Sequence, residues 1–246
     1  MRHLLLLLVG LLLALPGQAF AVTATELLDA IDANMTFDTR ESTMTMTVTK
    51  AGRVKSYELH SYGRGATEGA VEFNAPARDK GTRMLKKGGE LWMWLPNVEK
   101  TQKISGHMLR QGLMGSDFSY EDMLETSSLK ERYVATMGSE EVINGRKCWR
   151  IDMTARSTDV AYPKRVSWVD QEYRVPVREE LYALSGMLLK VFTFSEVQDF
   201  DGRKFPTLFT AEDQLQAGSK TELRFTDVKF KVPLQEEIFS LRWLER

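Results

Sequence analysis

The sequence has little of the chemistry on which disulfide-stabilised and metal-containing proteins depend. Of its 246 residues only Cys148 is a cysteine, which excludes an internal disulfide and a thiolate zinc cluster. After residue 21 the histidines are His60 and His107, which are far apart and outside metal-binding spacings such as HExxH. We therefore predict no metal and no cofactor, and a fold that is stabilised by its hydrophobic core.

Motifs of catalytic sites are also missing. The run Gly115-Ser116-Asp117-Phe118-Ser119 does not form a GxSxG nucleophile elbow, and no predicted helix follows Gly63-Arg64-Gly65 to complete a phosphate loop. A hydrolase built from two distant carboxylates would leave no motif, so that alternative stays open, but we predict that the protein is not an enzyme. Cys148 is predicted to be a small buried residue rather than a nucleophile.

The N-terminus has the layout of a secretory signal peptide over residues 1–21. Arg2 precedes an apolar run from Leu4 to Leu15, and small residues at Ala19 and Ala21 offer two cleavage positions. The run is shorter than the ~20 residues that a membrane-spanning helix needs. We therefore expect a soluble protein of the bacterial periplasm, with a single domain over residues 22–246.

The chain lacks the excess of basic residues that is typical of nucleic-acid-binding proteins. The chain contains 33 Lys and Arg residues and 34 Asp and Glu residues. Removal of Arg2 with the signal leaves 32 basic residues and therefore a net charge of −2. No nucleic-acid partner is predicted.

Alternating apolar and polar residues dominate the rest of the sequence. In residues 42–49, Met44, Met46 and Val48 point one way and the threonines the other, which predicts a half-buried strand. Before it, residues 23–35 have the spacing of a short amphipathic helix, with Thr25 as its expected N-cap. Turn signals such as Gly88-Gly89 and Asn144-Gly145 separate around ten strands in all. The fold class is mainly β with a few helices, built on a large antiparallel sheet.

Two features indicate that this sheet encloses an apolar space. Both faces of the strand Leu91-Trp92-Met93-Trp94-Leu95 are apolar, so either the strand is fully buried or one of its faces lines a pocket. Eleven methionines follow the signal, and methionine suits core filling as well as surfaces that accept varied apolar ligands. Residues 107–128 interrupt the strand pattern and are predicted to form short helices and loops that cover the sheet.

Three stretches resemble the LolA-like outer-membrane lipoprotein-sorting proteins. They are Glu90-Leu91-Trp92-Met93-Trp94-Leu95-Pro96 followed by Lys100 and Ile104, the stretch from Gly115 to Met123, and the tail Ile238-Phe239-Ser240 with Leu244-Glu245. The resemblance implies a half-open β-barrel covered by short helices, whose apolar cavity shelters the acyl chains of a lipid or lipoprotein. This sequence is longer than the namesake carriers and is similar to a broader subfamily whose clients are undefined.

The resemblance leads to a hypothesis for the site and for the partners. The cover is expected to contain Leu109, Leu113, Met114 and Phe118. The face of the 90–95 strand that points inward stays undetermined. A monomeric carrier is the first functional hypothesis, and an accessory or sensor subunit of an RND-type inner-membrane exporter is the alternative. The cavity lining is expected to comprise Met44, Met46, Val71, Phe73, Met84, Trp92 and Trp94.

Overall fold

Period-2 patterning produces the strands of this protein, and a computed structural model describes them for residues 22–124 and 128–246. The predicted signal peptide lies outside the described residues. The first six strands are β1 Thr39–Lys50, β2 Arg53–Arg64, β3 Glu68–Ala75, β4 Arg83–Lys87, β5 Glu90–Leu95 and β6 Lys100–Ile104. The other seven are β7 Tyr133–Ile143, β8 Arg146–Ala155, β9 Lys164–Asp170, β10 Pro176–Tyr182, β11 Leu188–Phe200, β12 Arg203–Asp213 and β13 Lys220–Phe230.

All thirteen strands belong to one antiparallel sheet, with the order β6-β5-β4-β3-β2-β1-β13-β12-β11-β10-β9-β8-β7. Two meanders, β1–β6 and β7–β13, are therefore joined where β1 pairs with β13. The order starts at β6 and ends at β7, so within the described part of the chain the sheet stays open. The predicted mainly β fold with an open, curled antiparallel sheet is confirmed, with thirteen strands where the sequence indicated around ten.

The helices are short and lie at three places along the chain. The α-helices are α1 Ala24–Met35, α2 Tyr120–Leu124, α3 Leu129–Arg132 and α4 Leu241–Leu244, and 3-10 turns occur at Pro96–Val98, Gly106–Arg110, Leu113–Gly115 and Glu236–Phe239. In the described parts of the chain no helix combines the length and the apolar character that crossing a membrane requires.

Helix α1 begins at Ala24, two residues earlier than a cap at Thr25 would allow. Thr23 rather than Thr25 is the N-cap, and it forms a capping box in which its side chain accepts from the Glu26 amide and the Glu26 carboxylate accepts from the Thr23 amide. The prediction of Thr25 was wrong because the glutamate that completes the box lies three residues after Thr23. The buried residues Leu27 and Ile31 then pack on β7, β8 and β9.

The two faces of the sheet are covered by different parts of the chain. We call the face that carries Met44 and Met46 the inner face and the opposite one the outer face. At β3 and β4 the outer face presents Ala70 and Leu85, which are buried beneath Phe239 and Leu244 of the C-terminal segment. This packing holds the C-terminus against the sheet and leaves the inner face to α1 and to the segment that follows β6.

Candidate functional site

The inner face of β1–β4 brings together five of the predicted lining residues. Met44, Met46, Val71, Phe73 and Met84 are all buried and belong to one apolar cluster. The register explains this, because Leu59 of β2 lies opposite both Met44 and Phe73, and Val71 lies opposite Met84. Cross-strand neighbours on one face touch, so the five side chains form a continuous apolar surface.

Trp92 and Trp94 require a correction, since they lie on the outer face. Both are partly buried against the C-terminal segment, in the cluster that contains Phe239. Successive residues of a strand point to opposite faces, so Leu91 and Met93 occupy the inner face and are buried in the same cluster as Met84. Met93 also lies directly opposite Met84 in the register. Leu91 and Met93 therefore replace the two tryptophans among the inner-face residues.

Residues 106–124, which we call the cover segment, lie over the inner face. Leu113 is buried in the inner-face cluster, and Leu109 and Met114 are partly buried against it. Phe118 packs instead with Tyr162 and Phe192 of the other meander, and the Phe118 and Phe192 ring centroids are 5.4 Å apart. The four predicted cover residues thus reach both halves of the sheet.

The cover segment is fixed by two aspartates. The side chain of Asp117 is fully buried and accepts hydrogen bonds from the hydroxyls of Ser219 and Thr221, while the Asp117 amide donates to the Thr221 hydroxyl at 2.9 Å. Asp122 accepts from the Tyr162 hydroxyl at 2.7 Å and from the Lys190 ammonium at 2.8 Å. Each aspartate ties the cover to the strands or loops of the second meander.

A tight loop shapes the cover between these contacts. Gly112 pairs with Ser119 in an isolated β-bridge. A Cβ atom at Gly112 would lie 2.0 Å from the backbone oxygen of Ser116, so only glycine fits this close approach. The loop presents Leu113 to the inner face.

Little space remains between the cover and the inner face. A cavity of about 20 Å³ separates them, which is room for about one water molecule. A ligand of any size can occupy this site only if the cover moves. The cavity is lined by Met44, Met46, Leu59, Val71, Met84, Leu113, Phe118, Met123 and Leu223.

A larger, open groove of about 380 Å³ lies on the outer face. Glu41, Glu237 and Arg246 contribute to its walls together with Tyr62 and Trp243. The charged groups make this groove less suited to an apolar ligand than the inner face is.

Sequence reasoning missed several inner-face residues that strand alternation could have identified. Eight of the eleven methionines after the signal belong to the inner-face cluster or pack against it, and Met93, Met108 and Met123 are among them. From β12 and β13 the cluster also contains Phe205 and Phe225, whose ring centroids are 5.5 Å apart. Their position depends on the β1–β13 pairing, which no local pattern indicates.

The described residues contain no group of three or more His, Cys, Asp or Glu side chains that could hold a metal ion. Cys148 is buried on the outer face with Trp168 and Val177, and burial raises the pKa of its thiol. His60 contacts Glu41 through Nε2 at 2.9 Å. The inner face is the candidate site because its buried side chains form one apolar cluster, which is suited to an apolar ligand.

A family model and several solved structures are similar to this chain. A family model with the description "Uncharacterized protein" matches residues 65–246, about three quarters of the chain. No curated protein matches the sequence. A LolA superfamily protein from Nitrosomonas europaea has a similar structure, with a TM-score of 0.75 and 26% identity over 91% of this chain and 100% of that one.

Two further solved structures are similar over nearly their whole length. A DUF1329 family protein from Desulfovibrio piger superposes with a TM-score of 0.82 and 23% identity, covering 89% of this chain and 97% of that one. A domain from Vibrio parahaemolyticus that is described as an outer membrane lipoprotein-sorting protein gives a TM-score of 0.80 and 24% identity, covering 90% and 98%.

Proposed function

This chain belongs to the family whose model matches residues 65–246 and has the LolA-like fold, and from this premise we propose that it is a soluble periplasmic carrier. In this proposal the single domain of residues 22–246 binds the acyl chains of a lipid or lipoprotein against its inner face. It then moves them towards the outer membrane. It acts by binding and release, without catalysing a reaction.

One observation carries the proposal, namely that a continuous apolar sheet face is covered by a separate segment rather than by a second sheet. The cover touches this face through Leu109, Leu113 and Met114. A segment of this kind can be displaced while the hydrogen bonds of the sheet stay intact, and the flexible methionines beneath it adapt to a ligand of irregular shape. The cover closes the site, and its displacement exposes the inner face to a ligand.

The free-energy cost of exposing an acyl chain to water favours a site that a cover shields. Each buried CH₂ contributes ~0.8 kcal/mol, so exposure of a long acyl chain to water costs on the order of 10 kcal/mol. A ligand that displaces the cover replaces the contacts of Leu113 and Met114 with its own. When the ligand binds, it replaces the cover as the apolar partner of the inner face. When the ligand leaves, the cover takes that place again.

Native mass spectrometry tests this function most simply. The mature protein is purified from periplasm without detergent, and one half of the sample is extracted with organic solvent. We expect a discrete added mass that extracts as a fatty acid, phospholipid or lipopeptide, either at once or after incubation with membrane lipids. A protein that remains without ligand after that incubation contradicts the carrier.

A matched pair of charged substitutions locates the binding face. Met84→Glu places a carboxylate on the inner face, and Trp92→Glu places one on the outer face of the adjacent strand. Since a charge is poorly tolerated against an acyl chain, we expect Met84→Glu to lower lipid affinity at least tenfold while Trp92→Glu retains it. Met114→Glu in the partly buried cover serves as the second inner-side variant if Met84→Glu does not fold. Equal affinities of the inner-side and outer-side variants would refute the assignment.

The alternative of an accessory subunit of an RND-type exporter gains no support. None of the three similar proteins is described as a transporter subunit. In the described part of the chain we find no feature that favours it over a carrier.

A further inference from the structure

Arg40 is an unusual group on the inner face. It lies on β1 in phase with Met44 and Met46, so its side chain belongs to the apolar side of the sheet. It is partly buried, and its Nε atom is inaccessible and has no hydrogen-bond partner. Its polar contact is with the Ser61 hydroxyl, to which Nη2 donates at the long distance of 3.5 Å.

Aromatic rings surround the guanidinium of Arg40. Its central carbon lies 4.4 Å from the ring centroid of Phe37, 5.0 Å from that of Phe225 and 5.8 Å from that of Phe205. Gly63 lies opposite Arg40 in the register, and a Cβ atom there would lie 2.6 Å from the Phe37 ring. The missing side chain at Gly63 therefore makes room for a ring that stacks on the cation.

No carboxylate of the described residues forms an ion pair with Arg40. The neighbouring Glu41 points to the outer face, where it contacts His60. Desolvation lowers the pKa of Arg40 to about 10, which still leaves the guanidinium charged at neutral pH. A buried charge is costly unless an opposite charge compensates it, and cation–π contacts offset only part of that cost.

A second polar group beside Arg40 also lacks a partner. Ser42, the next inner-face residue of β1, is 1% exposed, and its hydroxyl makes no hydrogen bond. Ser61 lies directly opposite it on β2. Arg40, Ser42 and Ser61 thus form a polar patch with unused hydrogen-bond donors, which we call the Arg40 patch.

The Arg40 patch lies at one end of an otherwise apolar track. From Arg40 the inner face of β1 continues with Met44, Met46 and Val48, about 27 Å along the strand at ~3.4 Å per residue. A cationic end followed by an apolar track matches a molecule that has an anionic head and an apolar tail. Arginine is well suited to the planar or tetrahedral oxyanions that such heads contain.

We propose that the Arg40 patch binds the anionic head of an amphiphilic ligand, a carboxylate or a phosphate, whose chain lies along the inner face. The inference rests on the proposed function and adds the class of head group that the site selects. In the bound state the oxyanion accepts hydrogen bonds from the guanidinium and from the Ser42 hydroxyl, which gives both groups the partner that they lack.

The experiment compares acids with neutral molecules of the same chain length. Binding of palmitic acid and hexadecanol, and of phosphatidic acid and diacylglycerol, is measured for the mature protein by displacement of a fluorescent probe. Inorganic phosphate alone is included to separate a head-group site from a site for free anions. We expect at least one of the charged ligands to bind about tenfold or more tightly than its neutral counterpart.

Variants of Arg40 separate recognition from stability. Arg40→Met should remove the preference for the charged head and leave the affinity for the neutral counterpart within about twofold, and Arg40→Lys should restore part of the preference. Arg203→Met is the matched control, since Arg203 also lies over an aromatic ring of this cluster, Phe230 at 5.4 Å, but donates to backbone carbonyls of α1. It should keep the preference.

The outcomes distinguish this proposal from the function on which it rests. If charged and neutral ligands bind wild type equally, or if Arg40→Met weakens both by the same factor, the head-group site is refuted while the lipid carrier stands. Displacement by inorganic phosphate alone at the same concentration also refutes it, in favour of a free-anion site. If no amphiphile binds, both proposals fall.

Discussion

At the scale of single residues, the cover segment depends on few polar contacts. The side chain of Asp117 is fully buried, and the two hydroxyls that donate to it belong to Ser219 and Thr221, about a hundred residues further along the chain. Lys50 lies 3.7 Å from the same carboxylate. Such a residue fixes the position of a segment that otherwise contacts the sheet mainly through apolar side chains.

Replacement of Asp117 by alanine should loosen the cover more than the sheet. Two buried hydroxyls would lose their acceptor, which costs about 1–3 kcal/mol. We expect faster amide hydrogen exchange in residues 106–124 of Asp117→Ala, with the protection of β1 and β2 unchanged. Asp159→Ala is the control, because Asp159 also accepts from a serine, Ser157, but in an exposed loop. Equal effects of the two variants would contradict the role of Asp117 in holding the cover segment on the sheet.

Asp170 makes stability depend on pH in the acid range. Burial alone would raise the pKa of this carboxyl, but hydrogen bonds from the Arg146 guanidinium and from the amides of Tyr173 and Glu172 outweigh it and hold the pKa below its usual value of 3.8. Since the pKa of Asp170 is lower in the folded state, its ionised carboxylate stabilises the fold fully above the usual value of 3.8. This stabilisation is lost as pH falls through the pKa of the folded state.

Asp170→Asn should therefore lower the free energy of unfolding at about pH 7 and reduce its pH dependence below about pH 4. Urea unfolding of wild type and variant across this range measures both effects. As Asp170 becomes protonated in wild type, the two curves should approach each other. Curves that stay parallel down to the most acidic condition would show that Asp170 is not the group responsible.

At the scale of secondary-structure elements, the strands were more predictable than the segments that cover them. Period-2 alternation and turn residues such as Asn144-Gly145 mark strands locally, and Asn144 and Gly145 both have positive φ as a tight hairpin requires. The sequence indicated that residues 107–128 cover the sheet, but not how the cover is held, because the partners of Asp117 are distant in sequence. The inner-face position of Arg40 could have been predicted, because Arg40 continues the alternation of Met44 and Met46 towards the N-terminus.

Helix α1 allows a matched test of its cap. Thr23→Ala removes the acceptor of the Glu26 amide and one half of the capping box, which we expect to cost about 1 kcal/mol of stability. Thr25→Ala, two residues later in the first turn and exposed, should change stability by no more than about 0.5 kcal/mol. Thermal unfolding of both variants compares them. If Thr25→Ala lost more stability than Thr23→Ala, Thr25 would be the N-cap, as the sequence first indicated.

At the scale of the whole molecule, the sheet order determines what the site can be. Because β1 pairs with β13, the methionines of the first meander and the phenylalanines of β12 and β13 share one apolar surface. No local pattern predicts this pairing, and none indicates which face of β5 points inward when both faces are apolar. The composition of the site was therefore predicted in outline, whereas the orientation of Trp92 and Trp94 required the fold.

We propose that lipid binds between the cover segment and the inner face. Photo-crosslinking with a fatty acid that carries a photoreactive group along its chain tests it directly, with the attached residues identified by fragmentation mass spectrometry. We expect attachment to inner-face residues such as Met46 and Met84 and to cover residues such as Leu113. Attachment confined to the outer face, around Trp92 and Trp243, would contradict it.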